Sequence, residues 1–322
     1  MKLATFRTRE APAGQFGALL EDGRLLALRA AGMTLLSEYS LPDRVEASRL
    51  LRHAQAFLDG GEEAFALAYQ VVQRAEQALR EGREPAGRGA QPLLFNVEHV
   101  EFLPPVPRPG KILAAGRNFT EHAAEVGGVP SGEWPSGFIK VASTLVGHNG
   151  AVIYPHFTRA LDYEAEVAAV IGRACKNVSR EAALGYVAGY TIFNDLSARD
   201  VQRAESQRGN HVLGKNFDTS GPLGPYLVTA DEVPDPQDLT IELRVNGELR
   251  QQGSTAQMIH DLPTLIAHWS QMTLYPGDLV TTGTPSGVAA GRANDSWYLR
   301  PGDVVEASVS RLGTLRNTVR SA

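Results

Sequence analysis

The run Asp162-Tyr163-Glu164-Ala165-Glu166-Val167-Ala168-Ala169-Val170-Ile171-Gly172 limits the fold more than any other part of the chain. Small and apolar residues alternate through Ala165, Val167, Ala169 and Ile171, which predicts a β-strand. Successive side chains of a strand point to opposite faces, so Glu164 and Glu166 share the other face. Two carboxylates side by side among apolar neighbours repel each other and resist desolvation. Either the strand is a solvated edge strand, or a hard divalent cation with oxygen ligands compensates the pair.

At 322 residues the chain has the length of two domains or one large one. An apolar content of 43% and a charged content of 21% suit a globular protein with a substantial core. The formal net charge of -5, with no arginine-rich helix and no RNA-binding motif, argues against nucleic acid as a partner. A small anionic substrate would then be drawn in by local cations. No apolar run is long enough to span a bilayer, and residues 1–7 lack the apolar stretch of a signal peptide. These features predict a cytoplasmic protein without membrane contact. Cys175 is the one cysteine, so no intramolecular disulfide forms. No base neighbours it in sequence, and it reads as structural.

Residues 1 to about 40 read as short strands, with a hairpin joining residues 16–20 to 25–28 around Asp22-Gly23. Residues 43–83 read as helical, through Leu50, Leu51, Ala54 and Leu58 and then Ala64, Leu67, Ala68, Val71, Val72 and Ala75. Gly60-Gly61 divides this stretch into two helices. Residues 84–110 are rich in proline and glycine, as in a linker or an ordered connecting arm. From Lys111 onward short strands dominate. The expectation is an α+β protein, mostly β, with an N-terminal α+β domain over 1–107 and a second domain over 108–322.

Four further clusters carry polar groups suited to chemistry. After the apolar run Ile112-Leu113-Ala114-Ala115, His122 and Glu125 are three apart and share a helix face. A carboxylate there would orient the imidazole as a general base, and Gly127-Gly128 would let the helix move as a lid; the same pair also suits an ordinary surface helix. Asp195 ends a strand and is either a helix N-cap or a third oxygen ligand, with Arg199 one turn on to orient it and Gln202 on the face of Arg199. Lys215, between Gly214 and Phe217, is either an exposed turn lysine or a partly buried cation aimed at an anion. In Gly283-Thr284-Pro285-Ser286-Gly287 the glycines allow close backbone approach, and Thr284 offers a hydroxyl and an amide to a carboxylate.

Taken in order, seven pieces resemble the fumarylacetoacetate hydrolase family over residues 108–319. They are Gly116-Arg117-Asn118-Phe119 with His122 and Glu125; Phe138-Ile139-Lys140; Asp162-Tyr163-Glu164-Ala165-Glu166; Asn194-Asp195-Leu196-Ser197-Ala198-Arg199-Asp200; Gly214-Lys215-Asn216-Phe217; Val245-Asn246-Gly247-Glu248; and Pro276-Gly277-Asp278 with Gly283-Thr284-Pro285-Ser286-Gly287. The likeness is to the acylpyruvase and hydroxymuconate isomerase branch. It implies a mixed, mostly β roll that pairs as a homodimer and takes a small oxo-acid.

By that resemblance Glu164, Glu166 and Asp195 would ligate Mg2+, or Mn2+ or Ca2+. Lys215 would act as a catalytic group beside the metal, and Lys140, near it, would bind the substrate. Gln202 would meet the substrate, Arg117 and Thr284 would hold its carboxylate, and His122 with Glu125 would activate water. The implied reaction is hydrolytic C–C cleavage of an acylpyruvate- or fumarylpyruvate-like β-diketo acid. An isomerase or decarboxylase of a hydroxymuconate-type diacid from aromatic catabolism is the alternative within the family, and a non-catalytic metal-dependent oxo-acid binder the alternative outside it. Phe119 stands where many members have tyrosine. The stretch between Val201 and Lys215, with Arg203, Arg208, Asn210 and His211, matches nothing specific and is expected to border the distal substrate pocket.

Overall fold

The computed structural model describes residues 1–37, 39–87 and 91–322. The N-terminal part contains β1 (Lys2–Arg7), β2 (Gln15–Leu19), β3 (Arg24–Ala27), α1 (Leu28–Leu35), α2 (Leu41–Leu50), α3 (Ala54–Asp59), α4 (Gly61–Arg80), β4 (Leu94–Asn96) and β5 (Glu101–Leu103). Then follow β6 (Ile112–Gly116), α5 (Thr120–Glu125), β7 (Ser136–Lys140), β8 (Leu145–Val146), β9 (Ala151–Tyr154), β10 (Leu161–Asp162), β11 (Ala165–Ile171), β12 (Val187–Asn194), β13 (Ser197–Ala198), α6 (Arg199–Ser206) and β14 (Gly221–Thr229). The chain closes with β15 (Thr240–Val245), β16 (Glu248–Ser254), α7 (Leu262–Trp269), β17 (Leu279–Thr281), β18 (Val304–Val309) and β19 (Gly313–Ser321). The fold is mixed α+β and mostly sheet.

The predicted hairpin forms, with Ala18 opposite Leu26 and Gly23 in the left-handed region its turn requires. Two expectations change. Leu28 starts a helix rather than ending a strand, because Leu28, Ala31 and Gly32 bury one face of a segment rich in good helix formers. The helical stretch breaks twice rather than once: besides Gly60, His53 ends the gap after Leu50 by accepting the Ala56 amide at 3.0 Å and capping α3. Residues 88–90 of the proline-rich stretch lie outside the described residues; of the rest, strands β4 and β5 pair with β3 and β1, as in an ordered connecting arm.

The main sheet runs β4-β3-β2-β1-β14-β12-β11-β17-β6-β7, with β5 on β1 and β8 on β14. The sheet crosses the expected boundary at residue 107, since β1 pairs with β14. A second sheet, β16-β15-β18-β19-β9, packs on one side. The N-terminal helices cover the other side, where α4 buries Ala64, Ala68, Val71 and Ala75 at helical spacing.

β11 lies between β12 and β17 and is buried along its whole length, which rules out the solvated edge strand. Its alternation is the predicted one. Ala165, Val167, Ala169 and Ile171 join the core under the second sheet, and Ala168 and Val170 join the core under the helices. Cys175 is buried in the first of these cores.

Candidate active site

Antiparallel pairing brings the acidic side chains together. β11 and β12 pair with Ala165 opposite Asn194, so the residues just beyond, Glu164 and Asp195, are adjacent. Two bonds lock this corner: the Asp195 amide donates to the Glu164 carbonyl at 2.9 Å, and the Glu164 amide donates to Asn194 Oδ1 at 2.9 Å. Carboxylate oxygens of Glu164, Glu166 and Asp195 lie within 4.8 Å of one another, and all three residues are buried. Asp195 is not a helix N-cap, because β13 intervenes and Ala198 occupies the cap position of α6.

Three buried cations surround the trio. Lys215 Nζ is 2.7 Å from both Glu164 Oε2 and Asp195 Oδ2. Lys140 Nζ is 2.7 Å from Asp195 Oδ1 and donates to the Lys215 and Ser220 carbonyls. It is 1% exposed and stands behind Asp195, away from the cavity, so it supports a carboxylate rather than meeting substrate. Arg199 does not orient Asp195 as its spacing suggested. It pairs with Asp162 at 2.8 Å and Glu164 at 2.6 Å, and donates to Gln202 Oε1 at 2.9 Å.

Burial alone would push the Glu164 carboxyl up, but Lys215 and Arg199 hold it well below the usual range. Burial lowers the Lys215 ammonium, and the Asp195 and Glu164 charges more than restore it. Glu166 is the exception. It accepts the Gly283 amide at 3.2 Å and makes no ion pair among the described residues. Burial, with the neighbouring Asp195 and Glu164 charges, drives its carboxyl well above the usual value.

Counting Asp162, four carboxylates face three cations among the described residues, so ionising Glu166 would leave one negative charge uncompensated. A dication bound by this all-oxygen set would remove the deficit, so the residues fit a hard divalent ion.

A cavity of about 380 Å3 opens onto this cluster. Glu164, Glu166, Arg199, Gln202, Lys215, Thr284, His122 and Arg117 line it. Larger cavities of about 480, 540 and 690 Å3 carry none of these side chains. His122 sits on α5 with Nδ1 3.6 Å from Glu125 Oε2, within ion-pair range and longer than a hydrogen bond. Both Glu125 oxygens accept the Gly287 amide at 3.0 Å.

Arg117 has φ +52° and lays its guanidinium against the backbone of Gly128, where an added Cβ would stand 2.9 Å from Nε. The Thr284 hydroxyl is already engaged: it donates to the Ala165 carbonyl and accepts from Gln251 Nε2, each at 2.8 Å. The unmatched stretch reaches the cavity as expected, through Arg203, Ser206, Gln207 and His211. Burial and then the Lys215 charge lower the His211 imidazole.

Asp162 is the residue to which sequence reasoning assigned no role. It accepts the Ala289 and Ala290 amides at 2.8 and 3.0 Å while holding Arg199. No local spacing announces contacts between residues 127 or more positions apart.

The family model described as fumarylacetoacetate (FAA) hydrolase C-terminal matches residues 111–320. The chain belongs to the fumarylacetoacetate hydrolase family.

Within that family it is 35% identical over 315 residues to the oxaloacetate tautomerase YisK of Bacillus subtilis, covering 94% of this chain and 95% of that protein. It is 46% identical over 217 residues to a 2,4-didehydro-3-deoxy-L-rhamnonate hydrolase of Sphingomonas, covering 67% of this chain and 75% of that one. Among solved structures, maleylpyruvate hydrolase from Sphingobium sp. SYK-6, in complex with manganese(II) ion and pyruvate, is similar with a TM-score of 0.72 and 28% identity over the whole of both chains. Among the described residues no helix is long and apolar enough to cross a membrane.

Proposed function

We propose that this family member is a divalent-metal-dependent enzyme that interconverts the keto and enol forms of an oxaloacetate-like 2-oxo dicarboxylate. The observation that carries the reading is that His122 lines one cavity with Glu164 and Glu166 of the acidic trio. The choice of tautomerisation follows the relative that aligns along nearly the entire chain, N-terminal part included.

Glu164, Glu166 and Asp195 would hold the ion. When bound, it polarises the oxygens of a 2-oxo acid and lowers the cost of enolate charge. Lys215, between Glu164 and Asp195, brings a fixed positive charge to the same oxygens. His122 turns Nδ1 toward Glu125, which leaves Nε2 to take the proton from the carbon next to the 2-oxo group and return it to the oxygen. Arg117 and Arg203, lining the cavity without a carboxylate partner among the described residues, suit the two carboxylates of a diacid. The dyad also favours a second reading, hydrolytic C–C cleavage of an acylpyruvate-like acid, in which His122 would deprotonate water; the Sphingomonas relative is a hydrolase.

The test follows decay of enol-oxaloacetate absorbance with Mg2+ or Mn2+ and with chelator, beside pyruvate release from acylpyruvates. Ketonisation that needs the ion supports the first reading. Pyruvate release without ketonisation replaces it with the second, and turnover that ignores chelator overturns both.

A further inference from the structure

The turn that carries Gly287 and Gly291 touches both halves of the site. On one side its Gly287 amide holds both Glu125 oxygens at 3.0 Å. On the other, its Ala289 and Ala290 amides hold Asp162 at 2.8 and 3.0 Å. Asp162 fixes Arg199, and Arg199 pairs with Glu164 at 2.6 Å. One short stretch of backbone therefore connects the dyad to the acidic trio.

Gly291 contributes by what it lacks. A Cβ built there would stand 1.9 Å from Glu125 Cγ, 2.5 Å from Cδ and 2.7 Å from Oε1. Its backbone lies in a short 3-10 turn outside the left-handed region, so alanine would not strain the chain itself. The displaced group would be the Glu125 side chain from Cγ outward, so its carboxylate would leave the Gly287 amide. Gly287 differs, because its φ is +111° and a Cβ would meet the Arg250 carbonyl oxygen at 2.1 Å. Substitution at Gly287 would damage the fold, whereas substitution at Gly291 would fall on the dyad.

We propose that the turn Gly287–Gly291 sets the His122–Glu125 pair against the acidic trio, with Gly291 a positioning residue whose missing side chain makes room for the Glu125 carboxylate. The catalytic consequence rests on the reading of His122 as the proton-transfer group. The placement of Glu125 does not.

The experiment compares Gly291→Ala, Glu125→Ala and the double variant in the full chain. Three measurements are taken: thermal stability, the 15N shifts of the His122 ring, and kcat and KM for oxaloacetate ketonisation with Mn2+. The expected Gly291→Ala result is a kcat lower by about 10- to 100-fold at little-changed KM. Its His122 ring shifts should match those of Glu125→Ala. In the Glu125→Ala background, which removes the clash, Gly291→Ala should change kcat by less than about two-fold.

Wild-type ring shifts and kcat in Gly291→Ala would overturn the proposal, as would losses that multiply in the double variant. If Gly291→Ala alone fails to fold, the double variant must fold and show the ring shifts of Glu125→Ala; failure of both assigns Gly291 to the backbone and ends the proposal. If no turnover is found in any variant, the ring shifts still decide where Glu125 sits, and only the functional reading falls.

Discussion

Ala168 and Val170 project from one face of β11 into the core under the N-terminal helices, among Phe57, Val71 and Leu279. Glu166 projects from the same face two residues earlier, and its surroundings include Glu164, Asp195, the Gly283 amide and the Thr281 side chain. The first environment is built from apolar side chains, each contributing about 1.5–3 kcal/mol on burial. The second is built from ion pairs, whose desolvation offsets most of their mutual attraction. A single strand therefore anchors the molecule at one end and presents a charge deficit at the other. That deficit is tolerable because the apolar end and the flanking strands β12 and β17 hold the backbone in place.

The sharpest way to break this contrast is Glu166→Gln. Ion-dependent turnover should fall by about 10^4-fold or more, several kcal/mol of transition-state stabilisation. The metal-free protein should lose no stability. Because the folded Glu166 carboxyl is raised, its contribution is fully present below the ordinary carboxylate value and lost as pH climbs through the raised one. Metal-free wild type should thus melt lower as pH rises through that window, Glu166→Gln should not, and Mn2+ should restore the wild type alone. Melting curves with chelator and with Mn2+ check all three.

Phe57→Ala attacks the other end. Phe57 stacks between Phe16 and Phe65 with centroids 5.2 and 4.4 Å away. The substitution should cost about 3–5 kcal/mol in urea unfolding and leave the affinity for Mn2+ unchanged. A weakened ion affinity would mean that the two ends are coupled more tightly than the contrast allows.

His122→Ala should lower turnover by about 10^2- to 10^3-fold, less than Glu166→Gln, because base assistance is worth less than the charge stabilisation. A deader His122→Ala would reverse that ranking.

The smallest effect lies away from both ends of β11, where His148 meets Phe102 edge-on at 5.4 Å and its Nδ1 accepts the Arg316 amide at 3.1 Å. Burial, with the Arg316 charge, pushes its imidazole down to about 4. A depressed histidine contributes stability above its ordinary value and loses it as pH falls through the lowered one. His148→Gln should flatten the decline between about pH 6.5 and 4, measured by urea midpoints across that range.

The alternation of β11, the hairpin at Asp22-Gly23 and the stripe of α4 were legible because each depends on a period of two or 3.6 residues written locally. The helix at Leu28 and the extra break at His53 were not, since one was masked by a preceding strand and the other is made by a side-chain cap. Within the site, residue types and order determined by themselves which carboxylates, lysine and imidazole are present, and which family they resemble.

Only the tertiary structure decided how they are used. It set Lys140 behind Asp195, turned Arg199 from Asp195 to Asp162 and Glu164, and engaged the Thr284 hydroxyl with the strand. It also left Glu166, among the described residues, as the carboxylate of the trio without a cation partner. The reason is that ion-pair partners and close backbone approaches are chosen by distance in space, between residues as far apart as Asp162 and Ala289, and a linear pattern carries no term for that distance.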